Sequence, residues 1–220
     1  MSSPAWIPWF VARWLARHWP AVYQFVAFGR WNINTAEHWD QAWARHSQGG
    51  FRASTELPSV RERLVELVPP DSVVLDVGCG AGELLETLRE AKRAQGYGVD
   101  ISSVAVATTR EKGFEAQVSR LPAIPFQSHF FQTVVCTETL EHVTDVTGSL
   151  KEIARVLRPD GLFVVTVPDG SVDLESAHVH RFKESRLVAL LSRQFEDINV
   201  ERHVNGPEFT LLASSHKRRH

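Results

Sequence analysis

The amino-acid sequence predicts an α/β fold in which helices cover both faces of a mostly parallel β-sheet, with a helical extension before it. Short apolar stretches alternate with helical stretches from Ser72 onward, and this alternation is typical of parallel sheets. A glycine-rich stretch, residues 78–82, directly follows the first apolar stretch. All seven tryptophans lie within the first 43 of the 220 residues, which sets this segment apart in composition.

Residues 5–28 are dense in apolar side chains and predict an amphipathic helix. The apolar positions that recur at helical spacing are Ile7, Phe10, Val11, Trp14, Leu15 and Trp19. Because Arg13, Arg17 and Pro20 interrupt the run, we expect neither a membrane-spanning helix nor a signal peptide. Three roles stay open for this segment: packing on the main domain or on a second copy, covering an apolar substrate, or peripheral contact with a membrane surface.

Two further helices are predicted before the sheet. Residues 34–43 form a short helix that Thr35 would cap, and residues 59–68 form an amphipathic helix. We therefore expect a tryptophan-rich helical extension over residues 1–58 and a larger α/β domain over residues 59–220.

Strands and helices alternate through the larger domain. Strands are expected at residues 73–77, 96–101, 114–118, 133–137, 162–167, 198–204 and 209–214. Helices are expected at residues 83–94, from a serine cap at 102 or 103 to residue 112, at 149–157 and at 184–194. Residues 158–161 read Arg-Pro-Asp-Gly and predict a turn.

The composition excludes several classes of function. The chain is 43% hydrophobic and 23% charged, as globular proteins are. Its net charge of −2 gives no general attraction to nucleic acid, so a nucleic-acid partner is not expected. Two cysteines, Cys79 and Cys136, cannot form a disulfide framework, which favours a reducing, cytoplasmic setting. We expect a monomer or a homodimer.

The glycine-rich stretch predicts a cofactor loop at the switch point of the sheet. Asp100 ends the second predicted strand, 24 residues after Asp76, where a carboxylate is suited to accept both hydroxyls of a ribose. A dinucleotide requires a glycine at position 83, but Glu83 stands there and would repel a pyrophosphate. S-adenosylmethionine carries positive charge and no phosphate, so an acidic strand end at Asp76 suits it better.

Four stretches resemble the successive motifs of class I S-adenosylmethionine-dependent methyltransferases: VLDVGCGAGELLETL, YGVDIS, VVCTETLEHV and LKEIARVLRPDGLFVVTVP. The resemblance covers residues 73–167 and is nearest to the broad group that includes ubiquinone-biosynthesis and natural-product enzymes. It implies a three-layer Rossmann-like methyltransferase fold with a seven-stranded, mostly parallel sheet. It also implies that S-adenosyl-L-methionine is the cofactor and S-adenosyl-L-homocysteine the product.

The resemblance also assigns cofactor-binding roles. The residues expected to bind the cofactor are Asp76, Gly78, Cys79, Gly80, Gly82, Asp100, Ile101, Gln117, Val118, Ser119 and Thr137. Within this set the glycine loop would surround the methionine end, Asp100 would hold the ribose, and Ile101 would pack on the adenine. Gln117 stands where the family usually offers an aspartate to the adenine, and Gln132 likewise replaces an aspartate.

The residues after the fourth strand are the candidates for chemistry. We expect His142 to act as general base and Glu138 to line the methyl-transfer side. A divalent metal is an alternative that is not favoured; its ligands would be Glu138, Glu141, His142 and His178. That spacing resembles metal-dependent small-RNA 2′-O-methyltransferases and some quinone O-methyltransferases. Arg52 could reach the methionine carboxylate or an acidic substrate.

The sequence therefore predicts an enzyme that transfers a methyl group from S-adenosylmethionine to an oxygen, or less favourably a nitrogen, of a small apolar or aromatic molecule. Two alternatives stay open: a metal-dependent RNA 2′-O-methyltransferase and a cofactor-binding partner protein without catalysis. An oxidoreductase has a similar fold, but the glycine spacing and Glu83 disfavour it.

Overall fold

The computed structural model describes residues 8–19, 22–23, 25–26, 32–46, 58–171, 173, 175, 177–205 and 208–218. Ile7 and Arg52, which the sequence singles out, lie outside the described residues, as do parts of the segment 5–28.

Seven strands form one sheet, as predicted. They are β1 (Val73–Val77), β2 (Gln95–Asp100), β3 (Glu115–Val118), β4 (Phe131–Thr137), β5 (Leu157–Pro168), β6 (Phe195–Asn205) and β7 (Glu208–Lys217). Their order across the sheet is β3-β2-β1-β4-β5-β7-β6. The pairings from β3 to β5 are parallel, whereas β7 pairs antiparallel with both β5 and β6. Successive strands are added in one direction from β1 to β3 and in the other direction from β4 to β5, so the order reverses between β1 and β4 and their carboxyl ends form a crevice.

Seven helices are described. They are α1 (Trp9–His18), α2 (Ala36–His46), α3 (Pro58–Leu67), α4 (Glu83–Lys92), α5 (Ser103–Glu111), α6 (Val146–Val156) and α7 (Glu184–Leu191). A short 3-10 turn, Leu140–His142, follows β4. The helical extension and the three-layer α/β architecture agree with the fold class that the sequence predicts. None of the helices in the described part of the chain has the length and apolar character needed to cross a bilayer.

The central strands bury side chains on both faces, which is why they read as continuous apolar runs. Leu75 and Val77 belong to one buried cluster, together with side chains of α6 and α7. Val74 belongs to a second cluster with side chains of α3 and α4. Neighbouring residues of one strand therefore face opposite layers, as the two-residue period of a strand requires. The sheet is covered on both faces.

The region around residue 158 differs from the prediction. β5 begins at Leu157, and the expected turn at residues 158–161 lies inside it. Phe131 of β4 pairs with Leu157 while Thr133 pairs with Leu162, so the intervening residues of β5 form an irregular loop within the ladder. The turn residues do bend the chain there, with Asp160 in the left-handed region at φ +60°, but strand pairing resumes on both sides.

Candidate active site at the carboxyl ends of β1, β2 and β4

The loop after β1 requires its glycines. Gly78, Gly80 and Gly82 have φ angles of +81°, +51° and +82°, which side chains other than hydrogen rarely allow. A Cβ atom on Gly78 would overlap the hydroxyl of Thr139, and one on Gly80 would overlap the indole of Trp43. The loop is therefore enclosed by β4 on one side and by α2 on the other.

Asp100 connects this loop to the end of β2. Its Oδ2 accepts a hydrogen bond from the Gly80 amide (3.0 Å), and its Oδ1 accepts one from the Ser102 amide (2.8 Å). Burial raises the pKa of Asp100, although these backbone hydrogen bonds oppose the rise. Two carboxylate oxygens can accept about four hydrogen bonds, so acceptor capacity is left for the hydroxyls of a ribose.

Asp76 is a buried carboxylate that suits a cation. Its Oδ1 has no hydrogen-bond partner among the residues that the structure describes. Burial raises its pKa to about 8, and the neighbouring charges of Asp100 and Glu83 act in the same direction. A positively charged group beside this carboxylate would favour its ionised form. The ammonium and sulfonium of S-adenosylmethionine meet that requirement, so the residues present fit this cofactor.

Cys79 contributes to the loop through its backbone. Its side chain is buried, and a Cβ on Gly98 of β2 would contact its Sγ at 2.6 Å. The Thr109 hydroxyl of α5 donates to the carbonyl of Gly80 (2.8 Å) on the same side. The thiol therefore fills space between the loop and β2.

The predicted adenine side lies beside β3. The Ser119 amide donates to the carbonyl of Asp100 (2.8 Å), which holds the loop after β3 next to the end of β2. Ile101 and Gln117 are half-buried there, whereas Val118 is exposed. The arrangement is compatible with the predicted roles of these residues.

Gln132 has a structural contact instead of a place at the cofactor loop. Its side-chain carbonyl accepts a hydrogen bond from the Val73 amide (2.9 Å) at the start of β1. This end of the sheet is opposite to the loop, because β1 and β4 are parallel. The replacement of an aspartate at this position therefore leaves the cofactor side unchanged.

Thr137 ends β4 next to the glycine loop. Its carbonyl accepts a hydrogen bond from the Thr139 hydroxyl (2.9 Å), and Thr139 is the residue packed against Gly78. The next residue, Glu138, has φ +47°, an unfavourable conformation for a residue with a side chain. Its amide donates to the carbonyl of Thr166 on β5 (3.0 Å), which anchors this bend.

Glu141 is buried and His142 is half-buried directly after this bend. Both carboxylate oxygens of Glu141 are without a hydrogen-bond partner among the described residues. Burial and the charge of Glu138 raise the pKa of Glu141 well above its usual value. His142 Nδ1 lies 3.3 Å from the carbonyl oxygen of Ala177. A carbonyl can only accept, so Nδ1 carries the hydrogen and Nε2 is left as an acceptor. Burial and the neighbouring His178 lower the pKa of His142 to about 3.

His178 completes a group of side chains that the sequence separates by 37 residues. Its ring centroid lies 4.8 Å from that of His142. Its Nδ1 lies 2.9 Å from the Oδ2 of Asp173, which also accepts a hydrogen bond from Arg181 (2.7 Å). One ligand atom each of Glu141, His142 and His178 lies within 4.8 Å of the others. Three of the four predicted metal ligands therefore lie together, and Glu138 is outside this group.

The helix α2 covers both parts of the site. Trp43 packs on Gly80, and the Trp39 ring lies edge-on to His142 with 4.8 Å between centroids. The Thr35 hydroxyl accepts a hydrogen bond from the His38 amide (3.3 Å) at the start of the helix, as predicted for an N-cap.

Asp40 on α2 binds the first turn of α5. It accepts hydrogen bonds from the Ser102 hydroxyl (2.6 Å), the Ser103 hydroxyl (3.2 Å) and the Val104 amide (3.2 Å). Burial raises the pKa of Asp40, but the hydrogen bonds from Ser102, Val104 and Ser103 outweigh it, so the pKa falls below its usual value. The Ser102 hydroxyl also accepts from the Ala105 amide (3.2 Å), which confirms Ser102 as the cap of α5.

Sequence reasoning missed Asp40 and Asp173. Each acts on residues far along the chain, and no local spacing connects them to their partners. The only available signal for Asp40 was its place between Trp39 and Trp43 on a short amphipathic helix. Asp173 stands in a loop, where the sequence gives no periodicity.

We predict that Asp40→Ala lowers the free energy of unfolding by about 1–2 kcal/mol at neutral pH, because a helix N-terminus loses its acceptor. Asp40→Asn should keep the shape and lose only the charge. Since the folded pKa of Asp40 is depressed, its contribution is full above the ordinary aspartate pKa of about 3.9 and declines as the pH falls below it. Urea unfolding across this range should show wild type and Asp40→Asn converging at low pH. A constant difference would contradict the assignment.

Comparison with known proteins agrees with this geometry. The family described as "Methyltransferase domain" matches residues 75–165, the region from β1 to β5. A ubiquinone biosynthesis O-methyltransferase of Xanthomonas oryzae pv. oryzae is 37% identical over 102 residues, which are 43% of this chain and 42% of that protein. The mitochondrial arginine-hydroxylase NDUFAF5 of Danio rerio is 27% identical over 113 residues, 50% of this chain and 35% of that protein. This chain thus spans less than half the length of these two relatives.

A solved structure extends the likeness to most of the fold. The complex between the Haloferax volcanii Trm112 methyltransferase activator and its methyltransferase matches with a TM-score of 0.66 at 20% identity. The match covers 82% of this chain and 98% of that one. Motif order, sheet order and family match agree. The region from β1 to β5 therefore matches a methyltransferase-domain family, and the fold is that of class I S-adenosylmethionine-dependent methyltransferases.

Proposed function

We propose that this protein transfers a methyl group from S-adenosylmethionine to a hydroxyl oxygen of a small aromatic or apolar molecule. One observation carries the proposal: Glu141 and His142 after β4 and His178 after β5 form a cluster of one carboxyl and two imidazoles. Trp39 of α2 covers this cluster, while Trp43 of the same helix packs on the glycine loop. A hydroxyl must lose a proton when its oxygen is methylated, and such a cluster can accept one. An amine attacks through a free lone pair and therefore has less need of a proton acceptor.

The cofactor residues would orient the transferred methyl group. When bound, S-adenosylmethionine supplies a methyl carbon that positive sulfur has already activated. Asp100 would hold the ribose through its free acceptor positions, and Asp76 would balance the positive charge. The amides of the glycine loop would approach the cofactor closely, since no side chain intervenes at Gly78 or Gly80. These contacts fix the direction of attack.

Glu141 is better matched than His142 to hold the departing proton. A group with a pKa near 3, as burial gives His142, takes up a proton poorly at neutral pH. Burial raises the pKa of Glu141, so its carboxylate is a stronger proton acceptor than an ordinary glutamate. We assign His142 Nε2 the role of accepting a hydrogen bond from the acceptor hydroxyl, and Glu141 the role of base. Glu138 remains our candidate for lining the acceptor side.

The remaining alternatives differ in testable ways. A salt-sensitive interaction with RNA would favour an RNA acceptor, although the net charge of −2 disfavours it. Cofactor binding without turnover would favour a non-catalytic partner protein. One relative is named a hydroxylase, so product analysis should look for oxygen insertion as well as methylation.

Both cysteines are free and buried, which supports the cytoplasmic setting that we propose. We propose a monomer or a homodimer.

The cofactor assignment predicts that Asp100→Ala weakens the affinity for S-adenosylhomocysteine about 100-fold. Two hydrogen bonds to a charged acceptor, about 1.5 kcal/mol each, would be lost. Isothermal titration calorimetry measures the affinity, and thermal unfolding checks that the variant folds. Asp71→Asn, an exposed aspartate paired with Arg93, serves as the control. Equal affinity of a folded Asp100→Ala variant would exclude the assigned site.

We also propose that α2, within the extension of residues 1–58, closes the site against water. Substitutions of the two tryptophans should then have different effects on cofactor binding and on turnover. Trp43→Ala should weaken S-adenosylhomocysteine binding severalfold, because Trp43 packs on the cofactor loop. Trp39→Ala should leave that binding unchanged and lower turnover at least tenfold, because Trp39 covers His142.

Transfer of radiolabelled methyl groups to a panel of phenols and catechols measures the turnover. Trp19→Ala, at an exposed tryptophan of the same segment, is the matched control. Identical behaviour of all three variants would contradict a covering role for α2.

A second candidate feature is a divalent cation held by Glu141, His142 and His178. The observation that favours it is the hydrogen bonding around the cluster. Each imidazole Nδ1 lies within hydrogen-bond distance of an oxygen, and His142 Nε2 lies 3.8 Å from Glu141 Oε1. Neither carboxylate oxygen of Glu141 has a hydrogen-bond partner among the described residues. Carboxylates that hold metal-binding histidines in this way are common, and Asp173 would be that residue. A bound cation would lower the pKa of an acceptor hydroxyl.

Calorimetric titration with Mg²⁺, Mn²⁺ and Zn²⁺ tests the cation site. We expect wild-type binding that Glu141→Gln abolishes and Asp173→Asn weakens about 10- to 100-fold. Glu90→Gln, at an exposed position, should bind as wild type does. If titration of wild type gives no heat, and if Mn²⁺ does not broaden the spectroscopic signals of the protein, the cation site is rejected. Glu141 would then act as a base without a metal.

A further inference from the structure

The described residues from α1 to Ile33 differ in exposure. Tyr23 and Ile33 are buried, and the neighbouring Asn34 side chain donates to the Ala177 carbonyl (2.8 Å), so these residues are anchored on the protein. Phe10, Trp14, Trp19 and Phe25 are exposed by 61%, 49%, 57% and 43%. Of the roles that the sequence leaves open, packing on the main domain therefore does not account for Trp14 and Trp19.

The exposed rings form an ordered cluster. Trp14 stacks on His18 with 5.0 Å between centroids, and Trp19 meets Trp14 edge-on at 5.4 Å. Phe10 precedes Trp14 by one helical turn. We call Phe10, Trp14, His18 and Trp19 the aromatic patch. A contiguous patch of exposed aromatic rings is typical of an interaction surface. Exposed apolar side chains without such a role are usually scattered singly over a surface.

The charge of residues 1–36 indicates which kind of partner the aromatic patch binds. Residues 1–36 contain three arginines and no acidic residue, whereas residues 37–220 contain 21 basic and 26 acidic residues. A two-fold contact between copies would bring together two such segments, each basic and without an acidic residue, which is unfavourable. Tryptophan rings in a basic segment are suited to the headgroup region of an anionic bilayer.

We infer that the aromatic patch of α1 binds the surface of an anionic phospholipid membrane, with the helix lying in the plane of the headgroups. α1 has ten residues and would not insert across the bilayer. This inference concerns binding and does not depend on the proposed methyl transfer.

The test uses the full chain with vesicles of phosphatidylcholine alone and of phosphatidylcholine mixed with phosphatidylglycerol. Co-sedimentation should occur with the anionic vesicles and should weaken as salt is added. Because every tryptophan lies in residues 1–43, brominated lipids should quench the intrinsic fluorescence without any added label.

Two variants separate the contributions. Phe10→Ser with Trp14→Ser should weaken vesicle binding at least tenfold, because two apolar side chains no longer enter the interface. Arg13→Gln with Arg17→Gln should remove most of the preference for anionic lipid, roughly tenfold. Val204→Ser, at an exposed apolar position of β6, should bind as wild type does. Unchanged binding of S-adenosylhomocysteine confirms that each variant is folded.

Three results would overturn the inference. One is a lack of co-sedimentation with anionic vesicles, and another is equal binding by wild type and the Phe10/Trp14 variant. The third is a lipid-free dimer, seen by sedimentation velocity, that dissociates in that variant, because the patch would then be an interface between two copies. None of these results bears on cofactor binding, which is measured separately.

Discussion

The carboxylate of Asp100 is the interaction on which the cofactor side of the molecule depends. It accepts the amides of Gly80 and Ser102, and so joins the loop after β1 to the start of α5. Ser102 in turn donates to Asp40, which extends the same chain of hydrogen bonds to α2. An ionised carboxylate only accepts, which suits a position surrounded by backbone amides. Without it, two buried amides would lose their partners, at about 1–3 kcal/mol each.

The same edge of the sheet concentrates buried carboxyl groups. Burial raises the pKa of Asp76, Asp100 and Glu141, so each is costly to keep ionised in the folded chain. A positively charged cofactor offsets part of that cost when it binds, which couples cofactor affinity to the stability of the fold. Functional sites commonly depart from the rules that stabilise the rest of a protein, and this edge is such a departure.

The sequence predicts much of this arrangement and fails where contacts are distant. Local signals were sufficient for β1, for the glycine loop and for the Ser102 cap, because each is specified within a few residues. Burial decided against a near-neutral pKa for His142, and burial depends on the whole fold. Gln132 replaces an aspartate before β4, and no local pattern predicts its contact with the start of β1, 59 residues away in sequence. Likewise, the turn residues alone predict an interruption at residues 158–161, whereas β5 pairs with β4 on both sides of the turn.

The contact between Trp43 and Gly80 links the evolution of two segments that differ in composition. A side chain at position 80 would require a smaller side chain at position 43, so Gly80 can change only after Trp43 has changed. Gly80 would therefore be retained even in a descendant that had lost its cofactor, provided that it kept this helix. For protein engineering, the helical extension is therefore not an exchangeable module. An extension taken from a relative would need a flat side chain at the position of Trp43. Otherwise the loop after β1 would have to be redesigned together with the extension.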